Sequence, residues 1–356
     1  MKYPYEWNLA DGYIMPRNGY KVFSTFACGG GSTMGYKLAG FEHLGGVEID
    51  PPIADVYKTN HNPKYLFVED IRDFAKRLDY PADLYNLDIL DGSPPCSSFS
   101  MAGNREKDWG KTKVFREGQA EQRLDDLFFD YIALAKKLQP KVVIAENVKG
   151  LIQGNAKAYV HRIKKEFEAA GYVVQLFLLN AASMGVPQKR ERVFFICQRK
   201  DLNLPKLKLE FSEDGIPFSD VDEGNIPCKQ LSQGFANDWR ESKIGGSVGK
   251  FFSNQKVDPA SVLNTIASGT YKFHWQYPRE LTYSEFAKCG TFPIDYNFKS
   301  IEPKYLIGMS VPPVMTAQIA NQIYLQWFKI RIMEINRYRW SYIHRLFNIP
   351  LCASFR

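Results

Sequence analysis

The sequence lacks the closely spaced cysteine and histidine ligands that a structural zinc site needs. Its six cysteines are scattered, without a CxxC pair or a neighbouring histidine. The length of the chain and the absence of a signal peptide argue against a disulfide framework and for a reducing compartment. We therefore expect no structural metal and no stabilising disulfides. The cysteines stand at Cys28, Cys96, Cys197, Cys228, Cys289 and Cys352.

Long apolar runs are also missing, and none approaches the ~18 residues that a membrane-spanning helix requires. A soluble, cytoplasmic protein is expected. The 356 residues suggest about two domains with ample length for a core. The net charge of +7 favours polyanionic partners but does not require them, since many basic soluble proteins bind none.

Residues 20–200 alternate short apolar runs with helical patterns, which is typical of a parallel α/β sheet covered by helices. Apolar residues at helical spacing predict helices around residues 124–135, 156–170 and 314–328. Seven strands are predicted, at Lys21–Ala27, Leu44–Ile49, Tyr65–Val68, Leu84–Leu90, Val142–Ala145, Val173–Leu179 and Val193–Cys197.

The composition and periodicity of the sequence change near Lys200. Residues 201–275 are rich in Asp, Asn, Gly, Pro and Ser and have weak periodicity, which suits either a recognition surface built from loops or an uninformative insertion. We predict a catalytic domain over residues 1–199 and a smaller recognition domain over 200–300. A helix over 301–330 would return to the catalytic domain, before an arginine-rich tail over 331–356.

Three glycines follow the first predicted strand in the run Phe26-Ala27-Cys28-Gly29-Gly30-Gly31 and precede a helical pattern. Glycine at such a junction lets the backbone approach a ligand closely. Dinucleotide and phosphate loops also use glycine, but the spacing fits GxGxxG poorly and GxxxxGK not at all. The turn is therefore a candidate ligand-binding loop of unassigned type.

Acidic residues at the ends of the next two predicted strands narrow the choice of ligand class. Glu48 ends the second strand, where a carboxylate can hold ribose hydroxyls, and Asp70-Ile71 follows the third, where it can grip an adenine ring. Each acid taken singly is as well explained by a solvated loop. Together with the glycine turn they indicate a nucleoside cofactor, and the absence of phosphate-binding features favours S-adenosylmethionine over NAD.

Cys96 follows two prolines in Gly92-Ser93-Pro94-Pro95-Cys96, directly after an apolar run. The prolines fix φ and remove two backbone donors, so the thiol is presented from a stiff turn at a strand end. Ligands of open α/β sheets bind at such ends. Cys96 is a candidate nucleophile, although a cysteine that fills the core is the simpler interpretation of this run alone.

Two further charged segments complete the candidate site. Glu146 lies at the end of the predicted strand that follows Cys96 along the chain. Its carboxyl there suits general acid catalysis, and the alternative is that it caps a helix. Arg190 and Arg192 alternate with Lys189 and Glu191 before the last predicted strand, so both arginines should face one side of the chain. Guanidinium groups suit a nucleobase carbonyl or a phosphate.

These residues resemble the DNA (cytosine-5)-methyltransferases over roughly residues 20–198 and 279–325. Besides the residues above, the ordered matches include Arg279–Pro293, similar to the family's helix that braces the recognition region, and Gly308–Pro313, similar to the segment that folds back to the cofactor. Three positions depart from the family pattern. Cys28 stands where Gly is common, Ser97 where Gln is common, and Met309 where Asn is usual.

The resemblance implies a Rossmann-like S-adenosylmethionine-dependent methyltransferase sheet with helices on both faces, plus a smaller target-recognition domain. It implies that Cys96 adds to cytosine C6, that a protonated Glu146 contacts N3, and that Arg192 holds O2 while Arg190 orients their surroundings. Residues 97–121 would close over a flipped base. The implied cofactor-binding residues are Phe26, Cys28, Gly29, Gly30, Gly31, Glu48, Ile49, Asp70, Ile71, Pro95 and Ser310.

The expected activity is methylation of cytosine C5 in duplex DNA at one sequence, without a metal. The expected protein is a monomer that protects host DNA beside a restriction endonuclease, with which it forms no stable complex. Lysines in 200–275 would position DNA phosphates. A methyltransferase for RNA cytosine and a non-catalytic DNA-binding relative remain the alternatives, and the long recognition segment argues against the first.

Overall fold

The computed structural model describes residues 3–95, 112–113, 122–123, 126–227, 231–251 and 253–329. Cys96, most of the segment 97–121 and the tail 331–356 therefore lie outside the described residues. Among the described residues, no helix has the length and apolar character needed to cross a bilayer.

A seven-stranded sheet forms the centre of the fold, in the order β3-β2-β1-β4-β5-β7-β6. Only β7 runs antiparallel to its neighbours. The strands are β1 Lys21–Thr25, β2 Glu42–Val47, β3 Tyr65–Phe67, β4 Ile89–Gly92, β5 Val142–Val148, β6 Tyr172–Asn180 and β7 Glu191–Arg199. The predicted α/β fold class is confirmed.

Helices cover both faces of the sheet because the central strands are apolar on both sides. In β1, Val22 belongs to the core beneath α1, α2 and α9, whereas the next residue, Phe23, belongs to the core beneath α3, α4 and α5. The helices are α1 Gly31–Leu38, α2 Pro51–His61, α3 Ile71–Lys76, α4 Leu127–Leu138, α5 Lys157–Ala169, α6 Gln233–Glu241, α7 Tyr283–Gly290, α8 Pro303–Met309 and α9 Pro313–Ile323.

The prediction of a strand over Leu84–Leu90 is wrong in its first half. Residues Ala82–Asn86 form a 3-10 helix that begins after Pro81, whose fixed φ favours a turn there. Leu84 is fully buried in this helix, so its apolar character does not distinguish a strand from a short helix. The strand β4 starts only at Ile89 and extends past the apolar run through Asp91 and Gly92.

Residues 203–329 contain short strands, long loops and three helices besides α6. The helix α7 begins with a capping box, in which Thr282 Oγ1 accepts a bond from the Glu285 amide and the Glu285 carboxylate accepts one from the Thr282 amide. Arg279 forms a buried ion pair with the same Glu285 at 2.7 Å. These contacts fix the start of α7 to the loop that precedes it.

Candidate active site

A cleft opens at the carboxyl ends of β1, β2 and β4, beside the point where the strand order reverses between β1 and β4. Its volume is about 850 Å³ including the open mouth. Seven of the predicted cofactor-binding residues line it, namely Phe26, Cys28, Glu48, Ile49, Asp70, Ile71 and Pro95. Met309 also lines the cleft, in the segment that the resemblance expects to fold back to the cofactor. Six further lining residues were not predicted from the sequence, namely Val47, Ile53, Glu69, Ser93, Leu127 and Tyr305.

The carboxylate of Glu48 is held in place by the loop that it faces. Its Oε2 accepts a hydrogen bond from the Cys28 amide at 2.8 Å, and its Oε1 accepts one from the Asp50 amide at 3.0 Å. Burial raises the pKa of Glu48, and these amide donors oppose that shift. A carboxylate has further lone pairs beyond these two bonds, so Glu48 can still accept from ligand hydroxyls.

Asp70 closes the far side of the cleft as the N-cap of α3. Its Oδ1 accepts from the Arg72 amide at 2.8 Å, and its Oδ2 accepts from Arg72 Nη1 at 3.1 Å. Ile71, the first residue of the helix, is buried against the core. The acid and the apolar side chain predicted to hold an adenine ring therefore lie together on the cleft wall.

Four of the predicted cofactor-binding residues do not line the cleft but lie behind residues that do. They are Gly29, Gly30, Gly31 and Ser310. Gly30 has a φ of 75°, and a Cβ there would lie 2.1 Å from the His61 ring. A Cβ on Gly31 would lie 2.2 Å from the Val311 carbonyl oxygen. In this structure these glycines permit close packing between the loop and other parts of the protein. Ser310 Oγ donates to the Leu306 carbonyl at 2.9 Å.

Cys28 adopts left-handed backbone geometry, with a φ of 48°. This region is strained for a residue with a side chain, which gives a physical reason why glycine suits the position. Burial raises the pKa of the Cys28 thiol to about 12, so the group is a neutral part of the wall at physiological pH.

Glu146 and Arg192 form the central ion pair of the site, on neighbouring strands. Arg192 Nε lies 2.9 Å from Glu146 Oε1, and both side chains are largely buried. Arg192 Nη1 donates to the Glu191 carbonyl at 2.8 Å. Among the described residues, Glu146 Oε2 and Arg192 Nη2 have no partner. The pair thus offers one carboxyl oxygen and one guanidinium amine to a ligand.

Asn147 ties this strand to the turn that leads to Cys96. Its Nδ2 donates to the Pro94 carbonyl at 3.0 Å, and its Oδ1 accepts from the Val148 amide at 2.8 Å. The proline turn is thereby fixed at the carboxyl end of β4, next to β5. Cys96 itself lies outside the described residues, and Pro95, the residue before it, lines the cleft.

Arg190 lies close to the pair, but its guanidinium is bound to backbone. Nη1 donates to the Ile266 carbonyl, and Nη2 donates to the Gly308 and Ser310 carbonyls, each at 2.9 Å. The side chain is buried. Arg190 therefore joins the strand region to the loop at Ile266 and to the end of α8, a role that the alternating charge pattern could not reveal.

A buried polar network lies beneath the site and has no counterpart in the sequence reasoning. Asp91 accepts hydrogen bonds from Ser24 Oγ and from Tyr36 OH, both at 3.0 Å, and Ser24 Oγ lies 2.9 Å from His43 Nε2. Burial raises the pKa of Asp91 to about 7, and the Glu146 carboxylate adds to the shift. The carboxyl of Asp91 links β4 to β1 and α1, one residue before the end of the strand that leads into the proline turn.

Among the described residues, one group could in principle hold a metal ion, formed by Asp222, His274 and Glu285. Each of these side chains is already bound by protein donors. His274 Nε2 and Trp275 Nε1 donate to the Asp222 carboxylate at 2.9 and 2.8 Å, while Arg279 donates to Glu285. These hydrogen bonds join the loop at Asp222, the segment at His274 and the start of α7.

The cleft has the composition of a site for S-adenosylmethionine. Among the described residues that line it, the charged side chains are three carboxylates, Glu48, Glu69 and Asp70, with neither lysine nor arginine. A nucleoside with a cationic sulfonium and no phosphate suits such a lining, whereas a dinucleotide would bring phosphates to acidic walls. The sheet and this cleft define an S-adenosylmethionine-dependent methyltransferase.

Comparisons with known proteins identify the family. Residues 20–244 match the model for the C-5 cytosine-specific DNA methylases. The chain is 37% identical over 346 residues to the Type II methyltransferase M.NgoPII of Neisseria gonorrhoeae, covering 86% of this chain and 96% of that protein. It is 39% identical over 345 residues to M.Sau96I of Staphylococcus aureus, covering 87% and 77%. The chain belongs to the C-5 cytosine-specific DNA methylase family.

Solved structures share the fold at lower identity. A crystal structure of Spodoptera frugiperda DNMT2 superposes with a TM-score of 0.61 at 18% identity. The match covers 86% of this chain and 100% of that chain. The S. pombe Dnmt2 methyltransferase also gives 0.61, at 15% identity, with 86% and 98% covered. The co-substrate of the protein is S-adenosylmethionine, and its substrate is DNA.

Proposed function

We propose that the protein methylates C5 of a flipped-out cytosine in duplex DNA, at one short sequence, through a covalent adduct with Cys96. The single observation that carries the proposal is the Glu146–Arg192 pair beside the acidic cleft. Cytosine presents the N3 acceptor beside the O2 acceptor on one edge. Glu146 Oε2 and Arg192 Nη2, which have no partner among the described residues, are the two groups needed to bind that edge.

Cytosine C5 is a poor nucleophile, so the base must first be activated. In the proposed mechanism the Cys96 thiolate adds to C6, which makes C5 enamine-like. Glu146, protonated in this step, donates to N3 and offsets the developing negative charge, while Arg192 holds O2. After methyl transfer, loss of the C5 proton and β-elimination release Cys96.

Bound S-adenosylmethionine supplies the electrophilic methyl group. Glu48 would accept hydrogen bonds from its ribose hydroxyls, and Asp70 with Ile71 would hold the adenine. Pro95 would border the cofactor on the side of the catalytic turn. In this scheme Arg190 is a positioning residue that acts through its three carbonyl partners. No metal takes part in the proposed reaction.

The proposed domain boundaries follow the sequence prediction, with a catalytic domain over 1–199, a recognition domain over 200–300 and a returning segment over 301–330. Lys243 and Lys250 are exposed and would contact DNA phosphates in this arrangement. Lys256 is buried, and its Nζ donates to the Trp239 and Ser242 carbonyls, so it is not part of this proposal. Further parts of the proposal are a monomer in the cytoplasm and protection of chromosomal DNA against an endonuclease that acts on the same site. Closure of residues 97–121 over the base is proposed from the sequence alone.

Bisulfite sequencing of DNA from cells that express the protein tests the activity. The expected result is one short modified motif, and uniformly unmodified cytosine would contradict the proposal. Cys96→Ser should keep S-adenosylmethionine affinity and lose methyl transfer, whereas retained transfer would reject Cys96 as the nucleophile. Competition between labelled duplex DNA and transfer RNA distinguishes the DNA activity from methylation of RNA, which is the alternative.

A further inference from the structure

A second cavity opens away from the cofactor cleft, between the last turns of α1 and α2 and the start of β2. Its volume is about 1010 Å³ including its mouth. Its lining includes six polar or charged residues that bear on ligand binding, namely Tyr13, Arg17, Lys37, Glu42, His43 and His61. None of these residues has a role in the proposed reaction.

The second cavity is lined by the cations of Lys37 and Arg17 as well as by the Glu42 carboxylate. Lys37 Nζ donates to the His61 carbonyl at 3.1 Å and lies 5.7 Å from the centre of the Tyr13 ring. No described carboxylate forms an ion pair with Lys37 or Arg17. Burial and the nearby Arg17 lower the pKa of Lys37 to about 8.

The second cavity also has hydrogen-bonding atoms without partners. The Tyr13 hydroxyl, His43 Nδ1 and His61 Nδ1 are buried and make no hydrogen bond. His61 Nε2 lies 3.1 Å from the Gly29 carbonyl, which can only accept, so this nitrogen carries the proton and Nδ1 is an acceptor. Ser24 donates to Asp91 and so accepts from His43 Nε2, which makes His43 Nδ1 an acceptor as well.

This combination of groups restricts the ligand. Lys37, Arg17 and the Tyr13 hydroxyl are donors suited to anionic oxygens, and the two imidazole Nδ1 atoms need a donor in return. Hydrogen phosphate provides both, since it has charged oxygens and a hydroxyl. A phosphate diester, such as the DNA backbone, has charged oxygens but no hydroxyl to donate.

We propose that the second cavity binds inorganic phosphate or a phosphate monoester, with Lys37, Arg17 and Tyr13 donating to its oxygens and a histidine Nδ1 accepting from its hydroxyl. The cavity is larger than a phosphate ion, so the organic part of a monoester can be accommodated. The site lies directly behind the cofactor loop, because His61 binds the Gly29 carbonyl.

Isothermal titration of the full chain with sodium phosphate, at ionic strength held constant with sodium chloride, tests the proposal. The expected result is saturable binding of one phosphate per chain. Tyr13→Phe and Lys37→Gln should each weaken binding by about tenfold or more. Tyr13→Phe should unfold at no lower temperature than the parent protein, because it removes a buried hydroxyl that has no partner.

Lys58→Gln serves as the matched control, since Lys58 is an exposed lysine on α2 that does not line the cavity. It should bind phosphate as the parent does. Dimethyl phosphate, a diester, should show no saturable binding. The proposal is overturned if the parent protein shows no saturation, if Tyr13→Phe and Lys37→Gln bind as tightly as Lys58→Gln, or if dimethyl phosphate binds as tightly as phosphate.

Discussion

Glu146 Oε1 accepts the Nε proton of Arg192 at 2.9 Å across the antiparallel junction between β5 and β7. Phe194 stands opposite Glu146 in this pairing, and Arg192 stands opposite Val148. Arg192 and Phe194 share a face because side chains two residues apart point the same way. The ion pair therefore follows from strand register and from one reversed strand.

Replacing Glu146 with Gln should lower the rate of methyl transfer by about 100-fold or more, because an amide can donate a hydrogen bond to N3 but cannot supply a proton. The affinity for S-adenosylmethionine should not change, since Glu146 does not line the cofactor cleft. Single-turnover transfer and cofactor titration measure the two quantities. Glu166→Gln, an exposed position on α5, is the control, and equal rates in both variants would contradict the assigned role.

Gly30→Ala should destabilise the protein and weaken binding of S-adenosylmethionine, because its Cβ would collide with the His61 ring at 2.1 Å. Gly12 has a similar φ of 73° with nothing within 4 Å of a new Cβ, so Gly12→Ala carries the backbone strain without the collision. Urea unfolding and cofactor titration compare them. If the two variants lose equal stability, steric contact with His61 is not what requires glycine.

The raised pKa of Asp91 predicts a pH dependence of stability. Between about pH 4 and pH 7 the folded protein keeps a proton on Asp91 that the unfolded chain releases, so this contribution falls as pH rises through 7. The Asp91→Asn variant should lack this pH-dependent contribution to stability. The difference in unfolding free energy between the two proteins should change by up to about 1.4 kcal/mol per pH unit in this window. Parallel urea-unfolding profiles from pH 5 to 8 would refute the prediction.

Arg190→Lys should reduce the free energy of unfolding by about 2–4 kcal/mol, because an ammonium group cannot match the guanidinium contacts to three carbonyls. At a temperature where the variant is folded, single-turnover transfer should remain within about tenfold of the parent rate. A larger loss of rate with unchanged stability would instead support a direct catalytic role for Arg190. Arg162→Lys on the surface of α5 is the control.

Much of the fold was predictable because its strands are apolar and its helices have clear periodicity. The sequence also indicated Glu48 and Asp70, since both follow strands that end at one edge of the sheet. Tyr305 and Leu127 were not predictable as cleft residues, because they reach it from helices distant in sequence and carry no local signal. Residues 82–86 were misassigned because burial of Leu84 looks alike in a strand and in a short helix.

The two arginines show a second limit of sequence reasoning. Alternation predicted that Arg190 and Arg192 face one side of the chain, but it gave no sign that they have different partners. Arg192 meets a carboxylate on the next strand, whereas Arg190 meets carbonyls at residues 266, 308 and 310. Those partners depend on long-range chain folding, which no local pattern encodes.

The contacts of Arg190 bear on how this protein could change its DNA target. The proposed recognition segment meets this arginine through the backbone of Ile266, and every amino acid carries a carbonyl. This hydrogen bond therefore places no requirement on the side chain at position 266. Recognition sequences could diverge, or be exchanged between relatives as interchangeable modules, while the arginine and the catalytic sheet stay the same.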